Sequence, residues 1–200
     1  MLSSLQLRFL ELFSPTYEAL VDERKKHLFE AVRGETIEIG AGTCVNFRFL
    51  PADVRWVGVD PNARALPYVR KAAERAGRRF EFRAAPAEVL PFPDATFDCA
   101  ISTLTLCSVR DPSLALAEIR RVLRPGGRFL FMEHVAAPAG SRTARRQRTI
   151  RPLFRCLAGC TPDRATGAII REAGFAGVAM DEFVLPLPIV GPHICGCAIR

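Results

Sequence analysis

Along the chain, apolar positions fall into short runs separated by turn residues. "TIEI" at 36–39 and "RWVGVD" at 55–60 read as strands, the second ending at Asp60. Residues 63–76 suit a helix stopped by Gly77, "RFEFR" at 79–83 a third strand, and "FDCAIST" at 97–103 a fourth. A helix over 112–123 runs into the turn Pro125-Gly126-Gly127, and "RFLFMEH" at 128–134 is a fifth strand. Helical patterns over 142–157 and 163–173 follow, the second stopped by Gly174. "GVAMDEF" at 177–183 and "HICGCAI" at 193–199 close the chain as strands. Alternating strands and helices with short turns predict an α/β, doubly wound sheet of seven strands, mostly parallel, with helices on both faces. The connection "VLPLPIVGP" holds no helix, so the last two strands should pair antiparallel, because a parallel pair needs a crossover. No linker or repeat divides the pattern, so 1–200 reads as a single domain with 1–34 as an N-terminal helical cap.

The opening "MLSSLQLRFLELF" is amphipathic, with Leu2, Leu5, Phe9, Leu12 and Phe13 near helical spacing. It suits a helix covering the core or the active site; a helix lying on a membrane surface is the alternative. No apolar run approaches the roughly 20 residues that cross a bilayer, and the cleavage pattern of a signal peptide is missing. At 49% hydrophobic and 24% charged the chain is globular rather than disordered, and a net charge of +7 is modest for a nucleic-acid binder. Seven cysteines, an odd number scattered through the chain, indicate free thiols in a reducing compartment. A cytoplasmic protein is expected, with peripheral membrane contact as a variant. Cys156/Cys160 and Cys195/Cys197 lack the C-x₂-C spacing of a zinc knuckle, so no metal is expected. Alternation makes Cys195 and Cys197 small apolar residues on one strand face.

The chemistry concentrates in "ETIEIGAGTCVNF", where the first strand stops in a glycine turn. Gly40 and Gly42 let backbone approach a ligand closely, and Asp60 ends the next strand, where a carboxylate can bind two ribose hydroxyls. A dinucleotide loop would carry a further glycine where Val45 stands, and would seat a pyrophosphate. Glu38 repels phosphate and attracts an ammonium. The combination points to a phosphate-free nucleoside cofactor with a positive end, as in S-adenosylmethionine. A purely structural turn is the alternative.

At this point the chain resembles the class I S-adenosylmethionine-dependent methyltransferases, which implies a Rossmann-like sheet and methyl transfer. "EIGAG", "VGVDPN", "AEVLPFPDATFDCAIS" and "RRVLRPGGRFLF" look like four of their motifs in order. "LTLCSVRDP", "EHVAAP" and "VGPHICGCAI" resemble, more narrowly, the methyltransferase-like thiol S-methyltransferases. The resemblance implies that Glu38 with the Gly40-Ala41-Gly42 backbone holds the methionine part. Asp60 would hold the ribose, with Pro61 and Asn62 at its rim. Adenine recognition would fall to the Ala87 backbone and Glu88, since the acid often seen before "LPF" has no match at Pro86. Leu104, Leu106 and Cys107 would flank the methyl and adenine. The family's frequent third glycine is Cys44 here, which predicts a turn held differently after Gly42.

The product would be S-adenosylhomocysteine, and the acceptor a small, lipophilic molecule, first of all a thiol. A thiol needs no strong base, because part of it is thiolate at neutral pH. N-, O- or C-methylation of a small molecule or lipid-like acceptor is the alternative, and a non-catalytic S-adenosylmethionine-binding or membrane-surface module the third reading. His134, directly after the fifth strand, is the candidate base; a histidine satisfying backbone is the plain alternative. His193 opens the last strand and, with Cys107 and His134, outlines a candidate acceptor pocket; packing is the alternative for His193, and Cys107 reads as apolar lining rather than a nucleophile. Arg142, Arg145, Arg146, Arg148, Arg151 and Arg155 form a basic helical run, read as a solvated face or as a surface for anionic lipid or an acidic acceptor. Nucleic acid is disfavoured: no flipped-base motif or appended binding domain is visible.

Overall fold

The structure, a computed structural model, describes residues 4–200, with side chains from Pro15 onward. The apolar face that the sequence places on Leu2, Leu5, Phe9, Leu12 and Phe13 therefore lies outside the described side chains. A first helix, α1, spans Ser4–Phe29. The strands are β1 (Glu35–Ile39), β2 (Arg55–Val59), β3 (Glu81–Arg83), β4 (Phe97–Thr103), β5 (Leu123–His134), β6 (Gly177–Val184) and β7 (Pro192–Ile199). Between them lie α2 (Leu66–Ala76), α3 (Pro112–Val122), α4 (Arg142–Leu157) and α5 (Thr166–Glu172).

These strands make one seven-stranded sheet in the order β3-β2-β1-β4-β5-β7-β6. Pairings among β1 to β5 are parallel, and β7 runs antiparallel to both of its neighbours. The helix-free connection from β6 to β7 accounts for that reversal. Chain order and sheet order diverge at β1, where the chain moves outward to β2 and β3 and then returns to β4 on the other side. Such a switch point opens a crevice at the carboxyl ends of β1 and β4.

Alternation along the strands divides the core in two. Ile37, Ile39, Val57, Val59, Phe129 and Phe131 pack on one face with Leu116 and Ile119 of α3. Trp56, Cys99, Ile101 and Leu130 pack on the other with Phe47 and with Val69 of α2. Glu38, between two residues of the first face, therefore points into the second.

The helices begin and stop where local chemistry dictates. The Asp111 side chain accepts from the Ser113 and Leu114 amides, and Pro112 opens α3. Gly77, with φ 61°, ends α2 by donating to the Ala73 and Glu74 carbonyls. The structure differs from the sequence reading at Pro125-Gly126-Gly127. Extended backbone begins at Leu123, opposite Phe97, and the register then jumps to Cys99–Arg128. The expected turn is a bulge within β5.

Candidate active site

At the end of β1 the chain turns through Gly40 (φ 71°) and Gly42 (φ 49°). The Gly40 and Ala41 amides donate to the Val59 carbonyl at 2.7 and 3.0 Å. Gly42 donates to Asp60 Oδ2 at 3.0 Å, while Asp60 Oδ1 accepts from the Asn62 amide at 2.8 Å. One carboxylate thus ties the loop after β1 to the loop after β2. Burial raises the Asp60 pKa, and the amides of Asn62 and Gly42 oppose that shift.

Cys44 takes the left-handed conformation, φ 60° and ψ 33°, that a glycine adopts freely. Its amide donates to the Ala41 carbonyl at 2.7 Å, and its side chain is buried among Phe47, Leu50 and Trp56. A cysteine holds this left-handed position with its thiol packed into the core.

Glu38 is wholly buried. Asn46 Nδ2 donates to its Oε1 at 2.7 Å and Trp56 Nε1 to its Oε2 at 2.9 Å. Asn46 also donates to Thr103 Oγ1 at 2.7 Å, so the network joins the ends of β1 and β4. Burial pushes the Glu38 carboxyl up to about 7, against the pull of both donors and of Lys25. Neither Asn46 nor Trp56 is singled out by sequence; their convergence on one carboxylate is tertiary.

On the other side of the crevice, Glu133 Oε1 accepts from Ser102 Oγ at 2.8 Å, the Thr105 amide at 3.0 Å and the Leu106 amide at 3.1 Å. This buried carboxylate shapes the segment that carries Leu104 (φ 52°), Leu106 and Cys107. Leu106 belongs to the core with Ala87 and Leu90, whereas Cys107 packs with Cys160 and Ala158. The Cys160 hydrogen bond and burial push the Cys107 thiol well above its ordinary range.

His134 and His193 are register partners on β5 and β7, with ring centroids 6.3 Å apart. His193 lies between the rings of Tyr17, on α1, at 5.6 Å, and Phe183 at 5.4 Å. Its Nδ1 contacts the Gly191 carbonyl at 2.9 Å, and burial lowers its pKa to about 4. The ring is neutral at physiological pH. Among the described residues, Tyr17 Oη, Glu133 Oε2, His134 Nδ1 and His193 Nε2 are buried without a hydrogen-bond partner. Four such atoms around one strand end form a polar lining that a ligand could satisfy.

Not every residue expected at the cofactor side turns toward it. Glu88 Oε1 accepts from the Arg110 and Asp111 amides at 2.8 and 3.2 Å, so its carboxylate braces the approach to α3. Ala87 is buried in the core beside Leu90. Pro61 lies in the turn that the Asn62 amide closes onto Asp60 Oδ1, and Asn62 Oδ1 accepts from the Arg64 amide at 3.2 Å. Asn62 Nδ2 remains buried and, among the described residues, without a partner, beside Asp60. A carboxylate acceptor with a free amide donor suits the paired hydroxyls of a ribose. With Glu38 behind the loop for a positive end, the donor set fits S-adenosylmethionine.

Residues 37–131 match a family model described as a methyltransferase domain. Human thiol S-methyltransferase TMT1B is 35% identical over 205 aligned residues, covering 96% of this chain and 84% of the relative. Human thiol S-methyltransferase TMT1A is 33% identical over the same shares of the two chains. Among solved structures, a SAM-dependent methyltransferase from Thermotoga maritima, described as a possible histamine N-methyltransferase, superposes with a TM-score of 0.67. It is 22% identical, with 96% of this chain and 99% of that one covered. With the glycine turn, the Asp60 bridge and the antiparallel β7 in place, the chain belongs to the class I S-adenosylmethionine-dependent methyltransferases, in the branch of the thiol S-methyltransferases.

Proposed function

We propose that this enzyme transfers the methyl group of S-adenosylmethionine to the sulfur of a small, lipophilic thiol. The observation that carries this reading is the likeness to enzymes named thiol S-methyltransferases across 96% of the chain. The acceptor end supports it. Its surroundings are Tyr17, Cys107, Phe183, His134 and a neutral His193, a lining suited to an apolar molecule with one polar atom.

In this reading Glu38 and the Gly40–Gly42 backbone hold the methionine part, and Asp60 with Asn62 holds the ribose. Pro61 shapes the rim, the Ala87 backbone meets the adenine, and Leu104 and Cys107 border the methyl. Glu88 acts indirectly, by bracing the loop before α3. The sulfonium methyl is electrophilic without further activation, so alignment and exclusion of water are the main demands. His134 need not act as a base, because a thiol supplies its own anion.

The basic face of α4 supports a second, peripheral role. Its arginines at 142, 145, 146, 148, 151 and 155 are exposed, beside Leu153, and suit anionic lipid. Among the described residues no helix is long and apolar enough to cross a membrane. Sedimentation with anionic against neutral vesicles tests that contact.

The decisive experiment offers methyl-labelled S-adenosylmethionine with matched alkyl thiols, amines and phenols. Label is expected in the thioether. Transfer only to nitrogen, oxygen or carbon would overturn the thiol assignment, and cofactor binding without any transfer would leave a binding module.

A further inference from the structure

Cys107, His134 and Cys160 come from three separate parts of the chain, yet one ligand atom of each lies within 4.8 Å of the others. All three residues are buried. Cys107 follows β4, His134 ends β5, and Cys160 lies just beyond α4. The Thr161 amide donates to the Cys107 carbonyl at 2.9 Å, which ties the loop bearing Cys160 to the first cysteine. Arg164, in the same loop, donates to the Leu106 and Val109 carbonyls on either side of Cys107. Backbone contacts thus hold the two cysteine-bearing loops together, and the Cys107 thiol itself donates to the Leu104 carbonyl at 3.4 Å.

We propose that Cys107, His134 and Cys160 form a binding site for a soft divalent cation, zinc in the first instance. Two thiolates and one imidazole are a donor set that zinc favours; the two thiols release their protons to solvent as the metal binds, and the resulting thiolates cancel its charge. The Cys107 thiol is hydrogen-bonded to both Cys160 and the His134 ring, so the three ligand groups already face one another. Spacing along the sequence hides the set, because no two of the ligands fall in a C-x₂-C pair.

Three protein ligands leave one tetrahedral position open, the arrangement by which substrate-binding zinc sites differ from closed structural ones. Resting on the thiol reading above, that position takes the acceptor sulfur. The acceptor thiol loses its proton to solvent on binding and becomes a zinc-bound thiolate. A sulfur lone pair then forms the new S–CH₃ bond as the methyl–sulfonium bond breaks. The electron pair of the broken bond stays on the sulfur of S-adenosylhomocysteine. The neutral thioether is a poorer ligand and departs.

The test uses the full-length protein, reduced and freed of metal, titrated with zinc against a chromophoric chelator and then with cobalt(II). One equivalent is expected, and the cobalt form should show thiolate-to-metal absorption. Cys160→Ala should weaken zinc by more than about 100-fold, since removing even an outer-sphere partner costs 10–100-fold. His134→Gln should do the same, which guards against a single misfolded variant, and Cys156→Ala on α4 should bind as wild type does. An alkyl thiol, but not the matching alcohol, should alter the cobalt spectrum. Absence of stoichiometric binding, or unchanged affinity in Cys160→Ala and His134→Gln, overturns the site. Undiminished methylation of thiols by the metal-free enzyme overturns the metal's role and leaves the thiol reading standing. A zinc-loaded enzyme that methylates no thiol overturns the thiol reading and leaves the metal site standing.

Discussion

Asp60 accepts a hydrogen bond from the Gly42 amide at 3.0 Å, so the acid expected to hold the ribose also holds the glycine turn. Its second oxygen accepts from the Asn62 amide at 2.8 Å. Asp60→Ala should therefore lose both the ribose contacts and the shape of the loop. Affinity for S-adenosylmethionine is expected to fall by about 2–3 kcal/mol, from charge-assisted hydrogen bonds. Asp60→Asn, which keeps one acceptor, should fall less. Calorimetry on both variants checks the order, and equal affinities in folded protein would remove Asp60 from the site.

The two glycines of the turn should respond differently to alanine. A Cβ on Gly40 would collide with the Thr105 side chain, whereas one on Gly42 meets nothing closer than the Gly40 carbonyl at 3.6 Å. Both positions have positive φ. Gly40→Ala should destabilise the fold by about 2–4 kcal/mol, combining left-handed strain with overpacking. Gly42→Ala should cost about 1 kcal/mol yet still impair cofactor binding, since its Cβ projects into open space. Thermal melts with and without S-adenosylmethionine separate the two effects.

The strands, their order of appearance and the antiparallel end of the sheet were legible because each follows from local alternation and the length of its connection. That Glu38, the glycine turn and Asp60 sit at neighbouring strand ends was legible, because β1 and β2 end side by side at the switch point. Tyr17 was not, since its contact with His193 joins residues at opposite ends of the chain. The pairing of Cys107 with Cys160 was hidden for the same reason. The contacts of Glu88 with the two amides ahead of α3 were not legible, because they join positions 22 and 23 residues apart. How Cys44 is held was not legible, since its left-handed backbone and buried thiol depend on packing with Phe47, Leu50 and Trp56.

The phenol of Tyr17 offers a test of whether α1 takes part in the site. Its Oη is buried without a partner among the described residues. Removing an unsatisfied buried hydroxyl should leave stability unchanged or slightly higher. If that hydroxyl meets the acceptor, Tyr17→Phe should raise the acceptor KM by about 5–10-fold, one hydrogen bond's worth, with kcat little affected. Steady-state kinetics beside a thermal melt decide it. A melting temperature well below wild type would show that the hydroxyl is structural.

Glu38 gives the molecule a pH response of its own. Burial raises its pKa from 4.5 to about 7 in the folded chain, Glu18 adds to that rise, and Asn46, Trp56 and Lys25 resist it. A carboxyl raised on folding favours the folded state when protonated. That contribution is fully present below about pH 4.5, declines as the pH rises and is gone above about 7. Across that window it amounts to about 3 kcal/mol, at 1.36 kcal/mol for each pH unit between the two values. The ammonium of S-adenosylmethionine should draw Glu38 toward its ionised form. Binding below pH 7 would then release a proton, and affinity should climb with pH between 5 and 7 by up to roughly tenfold per unit before levelling. Glu38→Gln has no proton to release, so its affinity should be lower and flat across the same range. Titration calorimetry in buffers of differing ionisation enthalpy reads the proton directly. A wild-type affinity that does not change between pH 5 and 7 would place the ammonium elsewhere.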